Sequence, residues 1–191
     1  IIHLIRDPRD VIASLKKMPW WNNSLNYSAL NWKLAIRHGI NARMNTKLDE
    51  YLELRYEDLL AEPERELQRV CQFLGETYDP AMLQFQEISQ QAVPDYKMDW
   101  HSATREPLNA SSVGRWRKDL STEEISIVEW ATGEEMVQLG YTLSKAQEPD
   151  FQSRNRYERE ARTFKTRQRR LEITDSIFSF FYRWETDYRM G

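Results

Sequence analysis

The chain opens on Ile1-Ile2-His3-Leu4-Ile5, and Arg6-Asp7-Pro8-Arg9-Asp10 follows at once. The first run is short, apolar and β-branched, without polar alternation. It predicts a strand buried on both faces, as in a parallel sheet. The second run is a turn into a helix. Asp7 is placed to cap it, and Pro8 falls at its first position, where a missing N–H costs nothing. Val11, Ile12 and Leu15 then give an apolar face to a helix ending near Lys17. A strand that needs cover on both sides commits the chain to helices layered on a sheet. An interior strand is an unusual place for a natural chain to begin. The sequence is therefore expected to be a piece of a longer one, with its true N-terminus and any targeting signal unseen.

The following segments fit the same plan. Met18-Pro19-Trp20-Trp21-Asn22-Asn23 breaks the first helix. Tyr27 to about Asn45 predicts a second, with Leu30, Asn31, Trp32, Leu34 and Ile36 forming a wide stripe. Tyr51 to Tyr56 reads as the next strand. Glu62-Pro63 starts a helix through Leu67, Val70, Cys71, Phe73 and Leu74, which Gly75 stops. Asp79-Pro80 opens a short helix to about Ser89, and residues 91–113 read as a loop. Leu120-Ser121-Thr122-Glu123-Glu124 is a capping box, with Ser121 or Thr122 as the cap. Its helix carries Ile125, Val128, Trp130 and Met136 to Leu139 and stops at Gly140. Strand, helix, helix, strand, helix is a βαβ-like order. It predicts an α/β fold on a parallel sheet with right-handed crossovers. Two strands are few for a complete sheet, so the sheet is expected to be partial.

Composition narrows the class. Among 191 residues, 12% are aromatic and 30% charged, with a net charge of −3. That suits a packed core under a solvated surface and excludes a wholly disordered chain. Six scattered Gly exclude a collagen-like fibre. No run of about 18 apolar residues is present, so no membrane-spanning helix is expected. Cys71 is the single cysteine, which excludes an internal disulfide and a cysteine zinc cluster, and three scattered His show no metal spacing. A cytoplasmic location is the expectation.

Residues 148–191 differ from 1–147. Positions 154–170 hold eight Arg or Lys against two Glu, and an apolar, aromatic stretch follows, from Ile173 to Trp184. One long helix or two are predicted. Two readings stand. The basic face is solvated and leads into a helix that packs on the domain or on a second subunit. Alternatively it meets an anionic surface, either membrane headgroups or nucleic acid. No nucleic-acid motif supports the latter partner.

The chemistry concentrates at the end of the first strand. In open α/β sheets, ligands bind at the carboxyl ends of strands, and helix N-termini there favour anions. Arg6 supplies a forked, permanently charged donor. Ser14 follows eight residues on, close to two helical turns, so both side chains can face one phosphate. The alternative is an Arg6 that pairs with Asp7 or Asp10 and a Ser14 that is merely small. His3 reads as a core histidine and His38 as a surface one. His101, in the loop Asp99-Trp100-His101-Ser102, is a candidate wall of an acceptor site. Trp20, Trp21 and Tyr27 form either an aromatic rim for an acceptor or part of the core.

Ile5-Arg6-Asp7-Pro8-Arg9-Asp10-Val11-Ile12-Ala13-Ser14 resembles the 3′-phosphate-binding motif of sulfotransferases that use 3′-phosphoadenosine 5′-phosphosulfate. Leu54-Arg55-Tyr56-Glu57-Asp58-Leu59, followed by Pro63 and an apolar helix, is similar to the family's second strand and helix. Ser111-Ser112-Val113-Gly114-Arg115-Trp116-Arg117, a Leu-Ser-x-Glu-Glu helix and Leu139-Gly140-Tyr141 continue the likeness. The blocks keep the family's order over residues 1–142, and bacterial-type and tyrosylprotein-like members look nearest.

The resemblance implies a P-loop-NTPase-like, three-layer fold. Residues 1–147 would then be the C-terminal portion of a sulfotransferase domain and 148–191 a helical extension. It implies that Arg6 and Ser14 hold the cofactor's 3′-phosphate and that Tyr56 touches the adenine region or packs under the next helix. Arg105 resembles a basic residue that closes on the cofactor, and Gly114 and Arg115 lie in a loop that covers the nucleotide. Trp116 anchors that loop. Asn109-Ala110-Ser111 stands where cytosolic members carry Arg-Lys-Gly, so Arg105 or Arg115 takes over that contact. The family's Gly-rich 5′-phosphosulfate loop and its catalytic base are absent from these 191 residues. The implied activity is sulfonate transfer, without a metal, to an unidentified hydroxyl or amine acceptor (a sugar, lipid, small molecule or protein Tyr). A P-loop kinase-like phosphotransferase and a non-catalytic nucleotide-binding scaffold are the alternatives.

Overall fold

The computed structural model describes residues 1–84 and 110–189, the side chains of 48 and 172–189 excepted. Strand β1 (Ile2–Ile5) runs into helix α1 (Pro8–Leu15). Helix α2 (Leu25–Asn45) and a short 3-10 turn (Leu48–Glu50) lead to strand β2 (Leu52–Arg55). Helices α3 (Tyr56–Ala61) and α4 (Pro63–Leu74) follow, and a 3-10 turn covers Pro80–Gln84. Beyond a turn at Ala110–Ser112 come α5 (Trp116–Asp119), α6 (Thr122–Gln138) and the long α7 (Phe151–Arg189). The two strands pair in parallel, Ile2 with Leu52 through Ile5 with Arg55. The fold is α/β, with a short parallel sheet and mostly helical mass.

Helix α2 packs across α1, α6 and α7. Ile5, Trp32, Ile36, Met136 and Tyr141 form one buried cluster. Ile12, Ala29, Val128 and Ala131 form a second, and Ala13, Trp116 and Leu120 a third. The expectation that β1 is buried on both faces needs correction. Ile5 is 1% exposed, but Ile2 is 41% and Leu4 54% exposed. Successive side chains of a strand alternate between faces. Helix α2 covers the face of Ile5. On the other face Leu54 is buried beside the exposed Leu4, because the helices after β2 pack against that strand.

Charge fixes the entry to α1. Asp7 Oδ1 accepts from the Arg9 amide at 2.9 Å, closing the helix cap. The same carboxylate takes the Arg9 guanidinium at 2.6 Å, and Glu129 of α6 takes its other arm at 2.6 Å. Arg9, Asp7 and Glu129 are all buried. Glu129 also accepts from the amide and hydroxyl of Ser144, so no arm of this ion group is left bare.

Other boundaries differ locally from the sequence pattern. The second strand ends at Arg55, and Tyr56 already begins α3, whose first turn carries Glu57 and Asp58 where the helix dipole favours anions. The helix predicted from Asp79 is a 3-10 turn to Gln84, and its remainder, with 91–109 of the predicted loop, lies outside the described residues. Gly75 ends α4 at φ 75°, its amide reaching back to Gln72 and that of Glu76 to Cys71. Ser121 is the α6 cap, with Glu124 completing the box.

The tail is one helix. Over residues 151–171 it packs on the domain mostly through side chains that lie between the basic ones. Phe164 is buried edge-on against Tyr27 at 5.1 Å, and Tyr157 meets Trp130 at 5.3 Å. Glu160 accepts from Ser24 and from Asn26, and Arg167 donates to the Tyr27 hydroxyl at 2.9 Å. The arginines at 156, 159, 162, 169 and 170 remain exposed. No described helix is long and apolar enough to cross a membrane.

His3 is a spacer between sheet and helix. It is half-buried, its Nδ1 lies 2.5 Å from the Tyr51 hydroxyl, and its ring rests on Gly39 of α2. A Cβ at position 39 would meet the ring at 1.9 Å.

Three outcomes are expected. Gly39→Ala lowers stability by about 1–3 kcal/mol despite its better helix propensity, and adding His3→Ala recovers most of the loss in urea melts. Burial pushes the His3 imidazole below its ordinary value of 6.5, partly countered by Glu53. The unfolded chain therefore takes the proton more readily. Stability is full above that ordinary value and falls as pH drops through it, and this part of the pH slope is missing in His3→Gln. Arg9→Met leaves Asp7 and Glu129 buried without their cation and costs about 3–5 kcal/mol by chemical denaturation.

Candidate nucleotide-phosphate site

The carboxyl ends of the two strands are tied together. The Asp7 amide donates to Glu57 Oε1 at 2.9 Å, and the Tyr141 hydroxyl donates to Glu57 Oε2 at 3.0 Å. Burial, reinforced by Glu57, pushes the Tyr141 phenol far above its ordinary value, so it stays a donor. The Arg55 guanidinium lies over the Tyr141 ring at 4.3 Å and donates to the Leu139 carbonyl. Trp32 Nε1 donates to the Arg6 carbonyl at 3.0 Å, fixing the backbone where β1 ends.

Arg6 and Tyr56, the first residues past each strand, meet there. The Arg6 guanidinium sits 4.4 Å from the Tyr56 ring centroid. It donates to the Ser112 carbonyl at 3.0 Å, and the Tyr56 hydroxyl lies 3.1 Å from Ser112 Oγ. Arg6 Nε is buried without a hydrogen-bond partner. The alternative pairing of Arg6 with Asp7 or Asp10 is not what forms. Asp7 is taken by Arg9, and Asp10 by backbone amides. Among the described residues no carboxylate pairs with Arg6. The two arginines of the motif thus divide, Arg9 inside the ion group and Arg6 at the strand end.

The segment after Ser112 is held by α1. Asp10 is 2% exposed and accepts from the Gly114 amide at 2.7 Å and the Trp116 amide at 2.9 Å. Gly114 has φ 73°, and a Cβ there would stand 2.6 Å from the Arg117 guanidinium. Trp116 is buried, with the guanidiniums of Arg9 and Arg117 at 4.0 and 4.3 Å from its ring. Its anchoring position matches the sequence expectation.

The remaining described candidates make no described contact with Arg6 or Tyr56. Ser14 is exposed on α1, and no described contact joins it to Arg6. Arg115 is half exposed and its Nε lies 3.4 Å from Asp119. Hydrogen bonding and charge from Lys17 hold the Asp119 carboxyl below its usual range. Arg105 and His101 lie outside the described residues. His38 is exposed, as expected. Trp20 is exposed and Trp21 donates to Ser28 Oγ at 2.9 Å, while Tyr27 is committed to α7. Sequence reasoning did not single out Asp10, Glu57 or Ser112. Asp10 lies one helical turn past Arg6, which was the available signal.

Residues 1–80 match the sulfotransferase family model. Carbohydrate sulfotransferase 1 of Mus musculus is 23% identical over 167 residues, covering 78% of this chain and 40% of the relative. Among solved structures, the sulfotransferase domain of the Synechococcus PCC 7002 olefin synthase aligns with a TM-score of 0.59. It is 23% identical and covers 75% of this chain and 50% of its own. The sulfotransferase domain from the curacin biosynthetic pathway gives a TM-score of 0.58 at 20% identity, over 75% and 54%. The chain therefore spans about half the length of these relatives. Its first 80 residues match the sulfotransferase family, and its described elements share the fold of sulfotransferase domains.

Proposed function

We propose that this chain supplies the 3′-phosphate side of the nucleotide site in a sulfotransferase whose donor is 3′-phosphoadenosine 5′-phosphosulfate. The observation that carries the reading is Arg6. It stands at the carboxyl end of a parallel strand, is stacked on Tyr56, and has a buried Nε without a partner. A guanidinium with donors to spare, and no carboxylate among the described residues to neutralise it, fits a phosphate dianion. Family match and fold support the same reading.

The bound donor would supply an activated sulfonate, which passes to an acceptor hydroxyl or amine as adenosine 3′,5′-bisphosphate departs. The residues here bind and orient. Arg6 anchors the phosphate, and Tyr56 fixes the plane of its guanidinium. Ser112 and the Gly114–Arg115 segment cover the nucleotide, with Ser14 as a further hydroxyl contact taken from the resemblance. None of these groups is assigned to the sulfur. Positioning and charge are what such a transfer requires of this half of the site.

Calorimetry tests the reading. Adenosine 3′,5′-bisphosphate is expected to bind more tightly than ADP. Arg6→Ala should weaken the bisphosphate by about 2–3 kcal/mol, roughly 30- to 150-fold. Preference for ADP would point to a kinase-like site instead, and an unchanged affinity in Arg6→Ala would remove the assignment.

A further inference from the structure

Asp10 has no place in the phosphate contacts above, yet it is among the most buried charged groups of the chain. Its two oxygens are spent on two amides of one short segment, Gly114 at 2.7 Å and Trp116 at 2.9 Å. Between them lies Arg115, and two residues upstream lies Ser112, whose carbonyl and hydroxyl meet Arg6 and Tyr56. Asp10 therefore joins the helix that begins three residues after Ile5 to the segment that faces the strand ends. Arg9 and Ala13 also touch this segment, but only through the Trp116 side chain. Lys17 reaches Asp119 and Lys16 reaches Glu124 through exposed side chains, without touching the 112–116 backbone.

We propose that Asp10 is a positioning residue for the 3′-phosphate. By holding the Gly114 and Trp116 amides, it sets the register of Ser112 against Arg6 and Tyr56, so that segment and arginine close on one ligand group. The inference rests on the functional reading above. A carboxylate suits this task because both of its oxygens accept, so it can hold two amides at once. Asparagine is nearly the same size but offers one oxygen. Its NH2 group would face an amide donor, and one of the two bonds would be lost.

The experiment compares calorimetric affinities for adenosine 3′,5′-bisphosphate and adenosine 5′-monophosphate, which differ only in the 3′-phosphate. In the unchanged chain the bisphosphate is expected to bind more tightly. In Asp10→Asn the ratio of the two affinities should fall about five- to tenfold, with 5′-monophosphate binding unchanged. Lys17→Ala, which cuts an exposed tether between the same regions, should leave the ratio as it was. A folded Asp10→Asn with an unaltered ratio would overturn the proposal while leaving the functional reading intact. Equal affinity for the two nucleotides in the unchanged chain would overturn both. Should Asp10→Asn fail to fold, hydrogen exchange on the unchanged chain decides. Protection of the Gly114 and Trp116 amides should rise with the bisphosphate and not with the 5′-monophosphate. Equal protection with both ligands would count against Asp10.

Discussion

Arg9 lies buried between the carboxylates of Asp7 and Glu129, and the layout at the end of β1 depends on that arrangement. The ion group caps α1, pins it to α6 and consumes the nearest acid to Arg6. A buried charge without partners is costly, so the three groups enforce one another's positions. Arg9 also stacks on Trp116, which carries the constraint from the helix to the loop segment. Arg9 thus takes Asp7 and Glu129, amides and a hydroxyl take Asp10 and Glu57, and Arg6 is left facing the strand end.

The parts of the fold that could be read from sequence were those set by local chemistry. Asp7-Pro8 announced the start of α1, Gly75 the end of α4, and Ser121 with Glu124 the cap of α6, because caps and turns bond within a few residues. The exposure of Ile2 and Leu4 could not be read the same way. Apolar runs tell what a strand tolerates, while its cover is decided by helices far along the chain. Helix α3 was missed because it is only six residues long, too short to show a helical period, and its place is set by Glu57 bonding back to Asp7 and Tyr141.

The site divides on the same principle. Arg6 was legible from the abrupt change of strand to charge to helix. Its partners were not, since Tyr56 lies 50 positions on and Ser112 106. The tail shows the reverse case. Its basic run stands out in the sequence, yet Phe164, Tyr157 and Glu160, with Arg167 beside them, make the contacts that hold it to α2 and α6. A charge run describes mostly what faces water, and the residues between the charges describe what the helix touches.

The bond from Arg6 to the Ser112 carbonyl sets how any anion must arrive. One arm of the guanidinium is spent on a neutral oxygen, and the others keep their donors. An anion that adds to them meets an arginine whose plane and direction are already set by Ser112 and Tyr56. The rotamer freedom of a long side chain is then lost during folding and not at the moment of binding.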